Sequence, residues 1–532
     1  MKTVDLFEYS SREGEDALLV ERKGWSELDA FLKEIWDESH QTETKFQREL
    51  EPEEENDEEN GTQRYLKTEN GRLKAHRFVG TICFEDTTIN IWPRVFEQSF
   101  AKDKNDKVKA DLLRGVMTRN MLHWASRAEY LTLHSSSGES TTPRDINNFF
   151  DAYIWLFADF TRNLLARQPY WQYQSEIVEG EVLRGRLVMN QYVNDCLARG
   201  RWHRLVYEHE PFDFDNLLNR IIKRACKLAH DFCVSSTVKE KLGEILFELD
   251  EVEDIFCTAR DCDRVHLNRM HTEYQIVLDN CRMLLAQCQA DNSGREMKRF
   301  CFLLPMDRLF EEYLRVLAGK AIDGMKSDWK LEDKDGIFLA KGYELTAEKP
   351  NNCFRLIHDL LFTRTGNPSG VIIADAKWKD RGKKVNRNFG VSQSDMYQMV
   401  AYAHGRGSTE VHLLYPAMAE ASKNIPIDSR IPTMTTSPGP EGKGPGLPIK
   451  VQVHELKIHW LPTAPDNEKN QIKEVEAAVC RAFENMLVAC NSEKVSGFNT
   501  VTWVGVRPPK GSGAGVIEAD IAQEFAGQVS LG

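Results

Sequence analysis

The stretch FRLIHDLLFTRTGNPSGVIIADAKWKD, residues 354–380, consists of two apolar segments joined by a run of turn-forming residues. The pattern predicts a β-hairpin with TGNPS as its loop, because Thr, Gly, Asn, Pro and Ser favour turns. In that register Arg364 pairs with Gly370, and Asp359 lies opposite Asp375 at the other end of the hairpin. The second strand therefore carries a carboxylate at the end of an apolar run.

Three charged side chains meet at this end of the predicted hairpin. Side chains alternate along a strand, so Lys377 lies on the same face as Asp375 and close to Asp359. Opposed like charges destabilise a sheet, and a divalent cation such as Mg²⁺ neutralises them. Mg²⁺, or Mn²⁺ in its place, with an ammonium group beside it predicts phosphodiester hydrolysis. The alternative is a surface salt bridge, which does not explain why both acids lie at the ends of apolar segments.

Two predicted helices carry further candidates. In SQSDMYQMVAYAHG, residues 392–405, apolar residues recur at helical spacing, and Gly405 is expected to end the helix. Gln398 and Tyr402 are four residues apart and form a polar row on one face. The helix that begins MDRLFEEYL contributes Glu311, either as a further carboxylate near the metal or as a solvated side chain.

In chain order these residues resemble the PD-(D/E)xK nuclease core of the RecB-like kind. The matching positions are Glu311, Asp359, Asp375, Ala376, Lys377, Gln398 and Tyr402. His358 departs from the motif, which often has proline there. The resemblance implies metal ligands at Asp359, Asp375, Glu311 and the backbone carbonyl of Ala376. It also implies that Lys377 acts on the attacking water, supported by Gln398 and Tyr402.

Upstream segments narrow the resemblance to the McrC family. RFVGTICFEDTTINIWPRVF is similar to the N-terminal strand segment of McrC proteins and has their Ile-x-Pro-basic signature at 91–94. LRGRL, followed by Asp215 and Asn219, is similar to their central segment. The resemblance covers about residues 65–415.

McrC proteins are nuclease subunits of modification-dependent restriction systems, which act in antiviral defence. The resemblance therefore implies cleavage of modified double-stranded DNA and docking on a GTP-hydrolysing AAA+ ring of the McrB type, whose GTPase the chain stimulates. The sequence agrees, because it lacks a GxxxxGK[ST] loop and its net charge is −13, so a motor and most DNA affinity must come from elsewhere. Arg199, Arg201 and Arg204 are candidate partner contacts; the alternative is a solvated hairpin.

At 532 residues the chain is expected to contain about three domains. The predicted fold class is multidomain α+β. Its predicted parts are a β-rich N-terminal module (1–110) with an acidic insertion (49–61), a mostly helical, partner-docking region (111–300) with a basic hairpin (178–210), an α/β PD-(D/E)xK nuclease domain with a mixed central sheet (301–463), and a C-terminal extension (464–532).

The 12 cysteines include no C-x-x-C pair and predict buried, reduced thiols rather than a metal or iron–sulfur site. No apolar run has the length of a signal peptide or a membrane span. The chain is therefore predicted to be cytoplasmic.

Two other functions stay open at this stage. One is a regulatory adaptor of the AAA+ GTPase with little nuclease activity, against which the intact Asp359, Asp375 and Lys377 argue. The other is a stand-alone RecB-like DNA exonuclease, against which the long non-nuclease half of the chain argues.

Overall fold

The computed structural model describes most of the chain up to residue 492. The described residues are 2–10, 22–41, 65–69, 72–84, 87–103, 106–128, 143, 146–173, 175–286, 288–290, 296–334, 336–342, 351–381, 388, 390–418, 433–435, 449–461 and 468–492. The chain divides into one compact unit, Met1–Leu487, and a second, Val488–Gly532. The predicted acidic insertion at 49–61 lies outside the described residues.

Strands and helices are interspersed along the described residues. The strands are β1 Lys2–Phe7, β2 Leu66–Glu69, β3 Arg72–Ala75, β4 Phe78–Phe84, β5 Thr87–Trp92, β6 Gln172–Tyr173, β7 Glu176–Gly180, β8 Arg186–Leu187, β9 Leu205–His209, β10 Phe212–Asp213, β11 Cys288–Ala290, β12 Glu296–Pro305, β13 Trp329–Leu331, β14 Ile337–Gly342, β15 Asn351–Leu356, β16 Leu360–Arg364, β17 Asn367–Ala376, β18 Glu410–Pro416, β19 Thr433–Thr435 and β20 Lys450–Leu456. The longer helices are α1 Arg22–Gln41, α2 Glu97–Asp103, α3 Lys107–Arg127, α4 Phe149–Arg167, α5 Leu217–Phe232, α6 Ser236–Glu248, α7 Tyr274–Ala286, α8 Met306–Met325, α9 Gln393–Arg406 and α10 Glu468–Ser492. The chain is therefore a mixed α/β protein with several sheets.

The N-terminal strands build a five-stranded mixed sheet in the order β1-β5-β4-β12-β11. β1 runs parallel to β5, and the other neighbours are antiparallel. Helix α1 packs against this sheet because Leu28, Phe31 and Leu32 recur at helical spacing and are buried with it. β12 joins the sheet from the end of the predicted helical region, so the N-terminal sheet also contains residues from much later in the chain.

Helices α4 and α5 bring aromatic side chains against β12. The ring centroids of Phe150 and Phe300 are 4.3 Å apart, and those of Tyr153 and Phe302 are 4.7 Å apart. Aromatic pairs at this spacing bury large areas. Through β12, the helices are therefore packed onto the N-terminal sheet.

Between α4 and α5 the chain forms an antiparallel ribbon of two long arms. Glu176 pairs with His209 and Tyr173 pairs with Phe212, so β7–β9 and β6–β10 share one register, and β8 adds a third strand. The predicted basic hairpin at 178–210 therefore contains most of β7 and all of β8 and β9. Trp202, which precedes β9, is 71% exposed.

A six-stranded mixed sheet in the order β13-β16-β17-β18-β20-β19 carries the hairpin quoted above. β17, β18 and β20 are parallel, whereas β13, β16 and β19 pair antiparallel with their neighbours. Met399 and Ala403 of α9 share a buried cluster with Ile373 and Val411 of the sheet. Helix α9 therefore lies against the strand that ends at the charged residues.

The pairing of β16 with β17 agrees with the predicted register except next to the turn. Leu360 pairs with Ala374, which places Asp359 opposite Asp375 as predicted. Arg364, however, pairs with Asn367 and not with Gly370, so the five-residue loop is wrong. Gly366 at φ +80° allows a tight two-residue turn. The register shifts next to the turn, so residues 368–370 lie between the paired positions Asn367 and Val371 and have no partners on β16.

Helix α9 ends later than predicted. Its left-handed C-terminal residue is Gly407 (φ +67°), whose N–H bonds to the carbonyls of Ala403 and His404, so the prediction that Gly405 ends the helix is wrong. A Cβ at Gly405 would lie 2.8 Å from Cδ1 of Ile337. Gly405 thus permits close packing between α9 and β14.

Helix α10, in the predicted C-terminal extension, is tied to α3 and α8 by Glu476. This buried carboxylate lies 2.8 Å from Arg127, 2.8 Å from Lys320 and 3.1 Å from His123. Burial opposes ionisation, but the hydrogen bonds from His123 and Lys320 and the charge of Arg127 lower the pKa of Glu476 to about 2. The helix is therefore fixed to the one that carries Glu311.

Replacing Glu476 with Gln is expected to lower the thermal unfolding midpoint near pH 7 by about 2–5 °C, as expected for losing roughly 2 kcal/mol of charged hydrogen bonding. Because the folded-state pKa of Glu476 is depressed, its contribution is complete above the unfolded pKa of about 4.5 and disappears as pH falls towards 2. Calorimetry across this range provides the measurement. Glu474→Gln, an exposed change two residues away, is the control. Equal midpoints for both variants would rule out the proposed tie.

The cysteines with described positions are free and buried: Cys83, Cys196, Cys226, Cys233, Cys257, Cys262, Cys281, Cys301 and Cys480. This confirms the predicted buried thiols at these positions. Among the described residues, no helix combines the length and the apolar character needed to cross a bilayer.

Candidate active site

The carboxylates of Asp359 and Asp375 meet at the end of the hairpin with Lys377. Oδ2 of Asp359 accepts a hydrogen bond from the backbone N–H of Ala376 at 2.8 Å, which fixes the first strand end to the second. Nζ of Lys377 lies 2.7 Å from Oδ2 of Asp375. Asp375 is 1% exposed, whereas Asp359 is half-buried. The structure therefore brings these predicted residues together.

Burial and mutual repulsion make ionisation of the two carboxylates energetically unfavourable. Burial raises the pKa of both Asp359 and Asp375, and the charge of Asp375 raises that of Asp359 further. Burial alone would lower the pKa of Lys377, but the carboxylates of Asp375 and Asp359 outweigh it and raise that pKa. Lys377 is therefore an ammonium group at neutral pH.

Glu311 of α8 lies beside this pair. It is buried, and its Oε2 lies 3.3 Å from Arg308 and 3.3 Å from Lys334. Burial, and then the charge of Asp359, raise the pKa of Glu311 to about 8. Glu311 is thus an electrostatic neighbour of Asp359 and is paired with two basic side chains, Arg308 and Lys334.

Gln398 and Tyr402 form a hydrogen-bonded chain that ends at the backbone before Asp359. The amide of Gln398 donates to the hydroxyl of Tyr402 at 2.8 Å, and that hydroxyl donates to the carbonyl of Ile357 at 2.6 Å. The ring of Tyr402 also lies 4.5 Å from that of His358. These contacts connect helix α9 to the backbone that precedes Asp359.

His358, at the motif's usual proline position, is 2% exposed. Within the described residues, neither of its ring nitrogens has a hydrogen-bond partner. Burial, followed by the charge of Arg406, lowers the pKa of His358 to about 4. The side chain is therefore a neutral ring that packs against Tyr402.

For the phosphodiester hydrolysis predicted from the sequence, replacing Tyr402 with Phe is expected to lower the rate of DNA cleavage about tenfold while DNA affinity stays unchanged, because the hydroxyl contacts the backbone before Asp359. Steady-state cleavage and a DNA-binding titration separate the two quantities. Tyr397→Phe is the matched control, since Tyr397 is on the same helix, is 64% exposed and pairs with Gln393. A larger loss in the control variant than in Tyr402→Phe contradicts the assignment.

The residues present fit a hard divalent cation. Within the described residues, neither carboxylate oxygen of Asp375 accepts a hydrogen bond of normal geometry, although the side chain is buried beside Lys377. Buried carboxylate oxygens need such partners or a cation. No three His, Cys, Asp or Glu side chains of the described chain are grouped to hold a metal ion. Two carboxylates suffice for Mg²⁺, which usually keeps several waters.

Several residues near the site were missed by sequence reasoning. Asp395 at the start of α9 is buried, lies 2.9 Å from Lys379 and accepts a hydrogen bond from the hydroxyl of Tyr415 at 3.2 Å. A carboxylate in the first turn of the predicted helix was the available signal. Arg308 and Lys334 had no such signal, because neither belongs to a motif.

The three candidate partner-binding arginines lie on the ribbon and not at this site. Arg201 and Arg204 lie 3.2 Å and 3.5 Å from Glu179, and Arg199 lies 3.7 Å from Asp195. Their charges are partly neutralised within the ribbon. Their role in partner binding stays a prediction.

The fold and site define a large mixed α/β protein with a paired-carboxylate and lysine site where two inner strands of a mixed sheet meet, at the start of β16 and the end of β17. The family model described as "McrBC 5-methylcytosine restriction system component" matches residues 73–416, well over half of the chain. The chain therefore belongs to the McrBC family of restriction-system components, which confirms the McrC resemblance.

Solved structures from Thermococcus gammatolerans are similar to this chain. The "refined half-complex from tetradecameric assembly" of McrB AAA+ hexamers with bound McrC matches with a TM-score of 0.60 and 16% identity, over 91% of this chain and 100% of that chain. A cryo-EM structure of the McrBC complex matches with a TM-score of 0.44 and 18% identity, over 60% of this chain and 88% of that one. The first similarity shows a shared fold. No curated protein matches the chain.

Proposed function

We propose that this chain is the Mg²⁺-dependent DNA endonuclease subunit of a McrBC-type restriction system. The observation that carries the proposal is the buried Asp375, with Nζ of Lys377 at 2.7 Å from its Oδ2 and the half-buried Asp359 opposite it. A cluster of charged side chains whose pKa values are shifted by burial and by each other is typical of a functional site. Membership of the McrBC family supports the restriction context.

In this proposal Asp359 and Asp375 hold the metal, with the carbonyl of Ala376 and Glu311 as further candidate ligands. When bound, Mg²⁺ supplies Lewis-acid activation of water and of the scissile phosphate. The hydrogen bond from Ala376 N–H keeps Asp359 turned towards Asp375. The strand pairing thus holds the two carboxylates in place before the metal arrives.

Lys377 acts as a hydrogen-bond donor and not as a base. Its raised pKa keeps the ammonium group charged at neutral pH. From its place beside Asp375 it orients the attacking water and stabilises negative charge that develops on the phosphate. Gln398 and Tyr402 support this arrangement by fixing the backbone before Asp359.

We also infer that the chain docks on an AAA+ GTPase of the McrB type and stimulates it. The similar Thermococcus gammatolerans assembly is described as McrB hexamers with bound McrC. The ribbon that carries Arg199, Arg201 and Arg204 is a suitable docking element because its side chains are mostly exposed. Modified double-stranded DNA is the proposed substrate.

The proposal is tested by combining the purified chain with its McrB-type GTPase, GTP, Mg²⁺ and methylated circular DNA. We expect wild type to cut the circle and stimulate GTP hydrolysis, and Asp375→Ala to stimulate hydrolysis without cutting. Stimulation without cutting by wild type would instead favour the adaptor. Degradation from DNA ends without GTP or partner would favour the exonuclease.

A further inference from the structure

The sheet stops supporting the chain immediately after the catalytic lysine. Ala376 is the last residue of β17, and the N–H of Lys377 makes one more bond, to the carbonyl of Leu414 at 2.8 Å. From 378 to 381 the described backbone belongs to no strand or helix. Apart from the bond from the N–H of Lys379 to the carbonyl of Lys377 at 2.8 Å, the contacts described next come from side chains.

The first such anchor comes from the opposite end of the sequence. The indole N–H of Trp378 donates to Oε1 of Glu8, which follows β1, and the two residues are 370 positions apart. Glu8 is 1% exposed and Trp378 is 5% exposed. The same Oε1 accepts the backbone N–H of Arg94 at 2.9 Å, which fixes the carboxylate against the end of β5.

Trp378 is also packed against the helix that carries Glu311. Its ring centroid is 5.1 Å from that of Phe310, the residue before Glu311, and 6.3 Å from that of Trp124. Trp378 thus lies between Lys377 and α8. Displacement of its ring is expected to shift the backbone next to Lys377 and the helix next to Glu311.

A second contact joins the same two parts of the chain. The guanidinium of Arg94 lies 3.9 Å from Asp380, both side chains being partly exposed. Arg94 therefore contacts the segment through its side chain and holds Glu8 through its backbone. The N-terminal sheet contacts residues 378–380 at both ends.

We propose that Glu8 is a positioning residue that, through Trp378, holds Lys377 in place beside Asp375. This inference rests on the proposed nuclease function. It extends the site to a residue outside the part of the chain matched by the family model, 73–416. A long, flexible lysine side chain loses its alignment if the backbone next to it moves by about 1 Å, which suffices for a large loss of rate.

Trp378→Phe removes the indole N–H and keeps most of the ring. Trp92→Phe is the matched control, because the buried Trp92 donates the same kind of bond at 2.8 Å, but to Asp5 and not to Glu8. Glu8→Ala and Glu8→Gln form a second pair, since Gln retains an acceptor oxygen for Trp378. The full-length variants are compared in DNA cleavage with Mg²⁺, GTP and the GTPase partner, and in hydrogen exchange of peptides covering 371–381.

We expect Trp378→Phe and Glu8→Ala to lower kcat about 10- to 100-fold with little change in KM for DNA, and Trp92→Phe and Glu8→Gln to stay within about threefold of wild type. Exchange at 371–381 should rise only in the first two. Equal activity and exchange for Trp378→Phe and Trp92→Phe would overturn the proposal. If Trp378→Phe does not fold, the comparison of Glu8→Ala with Glu8→Gln tests the proposal instead. Equal activity and equal exchange in these two variants would then overturn the proposal. If the wild-type protein does not cut DNA, the proposed nuclease function is refuted. Hydrogen exchange at 371–381 then tests by itself whether Glu8 holds this segment through Trp378.

Discussion

Asp375→Asn is expected to reduce DNA cleavage by roughly 1000-fold or more, because it removes the charge of the most buried carboxylate in the proposed metal site. The substitution keeps the shape of the side chain, and Asp375 holds no other described element in place through normal hydrogen bonds. The variant should therefore fold and bind its partner. Cleavage of methylated circular DNA, with GTPase stimulation measured in parallel, separates loss of chemistry from loss of assembly.

The same substitution should stabilise the metal-free protein. Burial raises the pKa of Asp375 although the charge of Lys377 opposes this, so the ionised form of Asp375 is less stable in the folded chain than in the unfolded chain. This cost grows as pH rises above the unfolded value of about 4 and is absent in the Asn variant. At pH 8 without Mg²⁺ we expect a midpoint at least about 1 °C above wild type, and Mg²⁺ should stabilise only wild type. The exposed Asp333, changed to Asn, is the control. Undiminished cleavage by Asp375→Asn would refute the site.

Lys377→Gln is expected to reduce cleavage by about 100- to 1000-fold while leaving metal binding intact, because the ammonium is a donor to developing charge. The carboxylates that are proposed to hold the metal are unchanged in this variant. Single-turnover cleavage at saturating Mg²⁺ measures the chemical step. Since the pKa of Lys377 is raised above its usual value, wild-type cleavage should not fall through loss of this charge below about pH 10.

Lys330→Gln provides the control for this prediction. Lys330 lies on β13 of the same sheet, its side chain is 66% exposed, and it pairs with Glu332. Its replacement should leave the rate within about twofold, as is usual for exposed ion pairs. A Lys377→Gln enzyme as fast as this control would exclude the proposed role of Lys377.

The hairpin and its charges could be predicted from local sequence because turn residues and strand alternation determine which side chains face each other. Leu360 opposite Ala374 follows from that pattern. The tight turn at Gly366 could not be predicted from this pattern. The register shift is confined to the residues next to the turn, so the pairing of the other strand residues is the same with either turn. Local pattern therefore predicted which acids meet but not the shape of the turn.

The sequence pattern could not predict contacts between distant parts of the chain. Glu8 is a single acid after a short strand, and nothing near it indicates Trp378 as its partner. The pairing of Cys301 with Ile82 likewise joins β12 to the N-terminal sheet across the whole helical region. Periodicity reports burial and element type, whereas such pairings depend on the tertiary arrangement.

The central claim is that Asp359 and Asp375 hold a divalent cation beside Lys377. Anomalous diffraction from crystals of the full chain soaked in Mn²⁺ tests it most directly, because the ion scatters at a known wavelength and its position is read without assuming activity. The claim predicts a peak within coordination distance, about 2 Å, of a carboxylate oxygen from each aspartate, and its loss in Asp375→Asn. No peak at these carboxylates in crystals of protein that cleaves DNA with Mn²⁺ would contradict it.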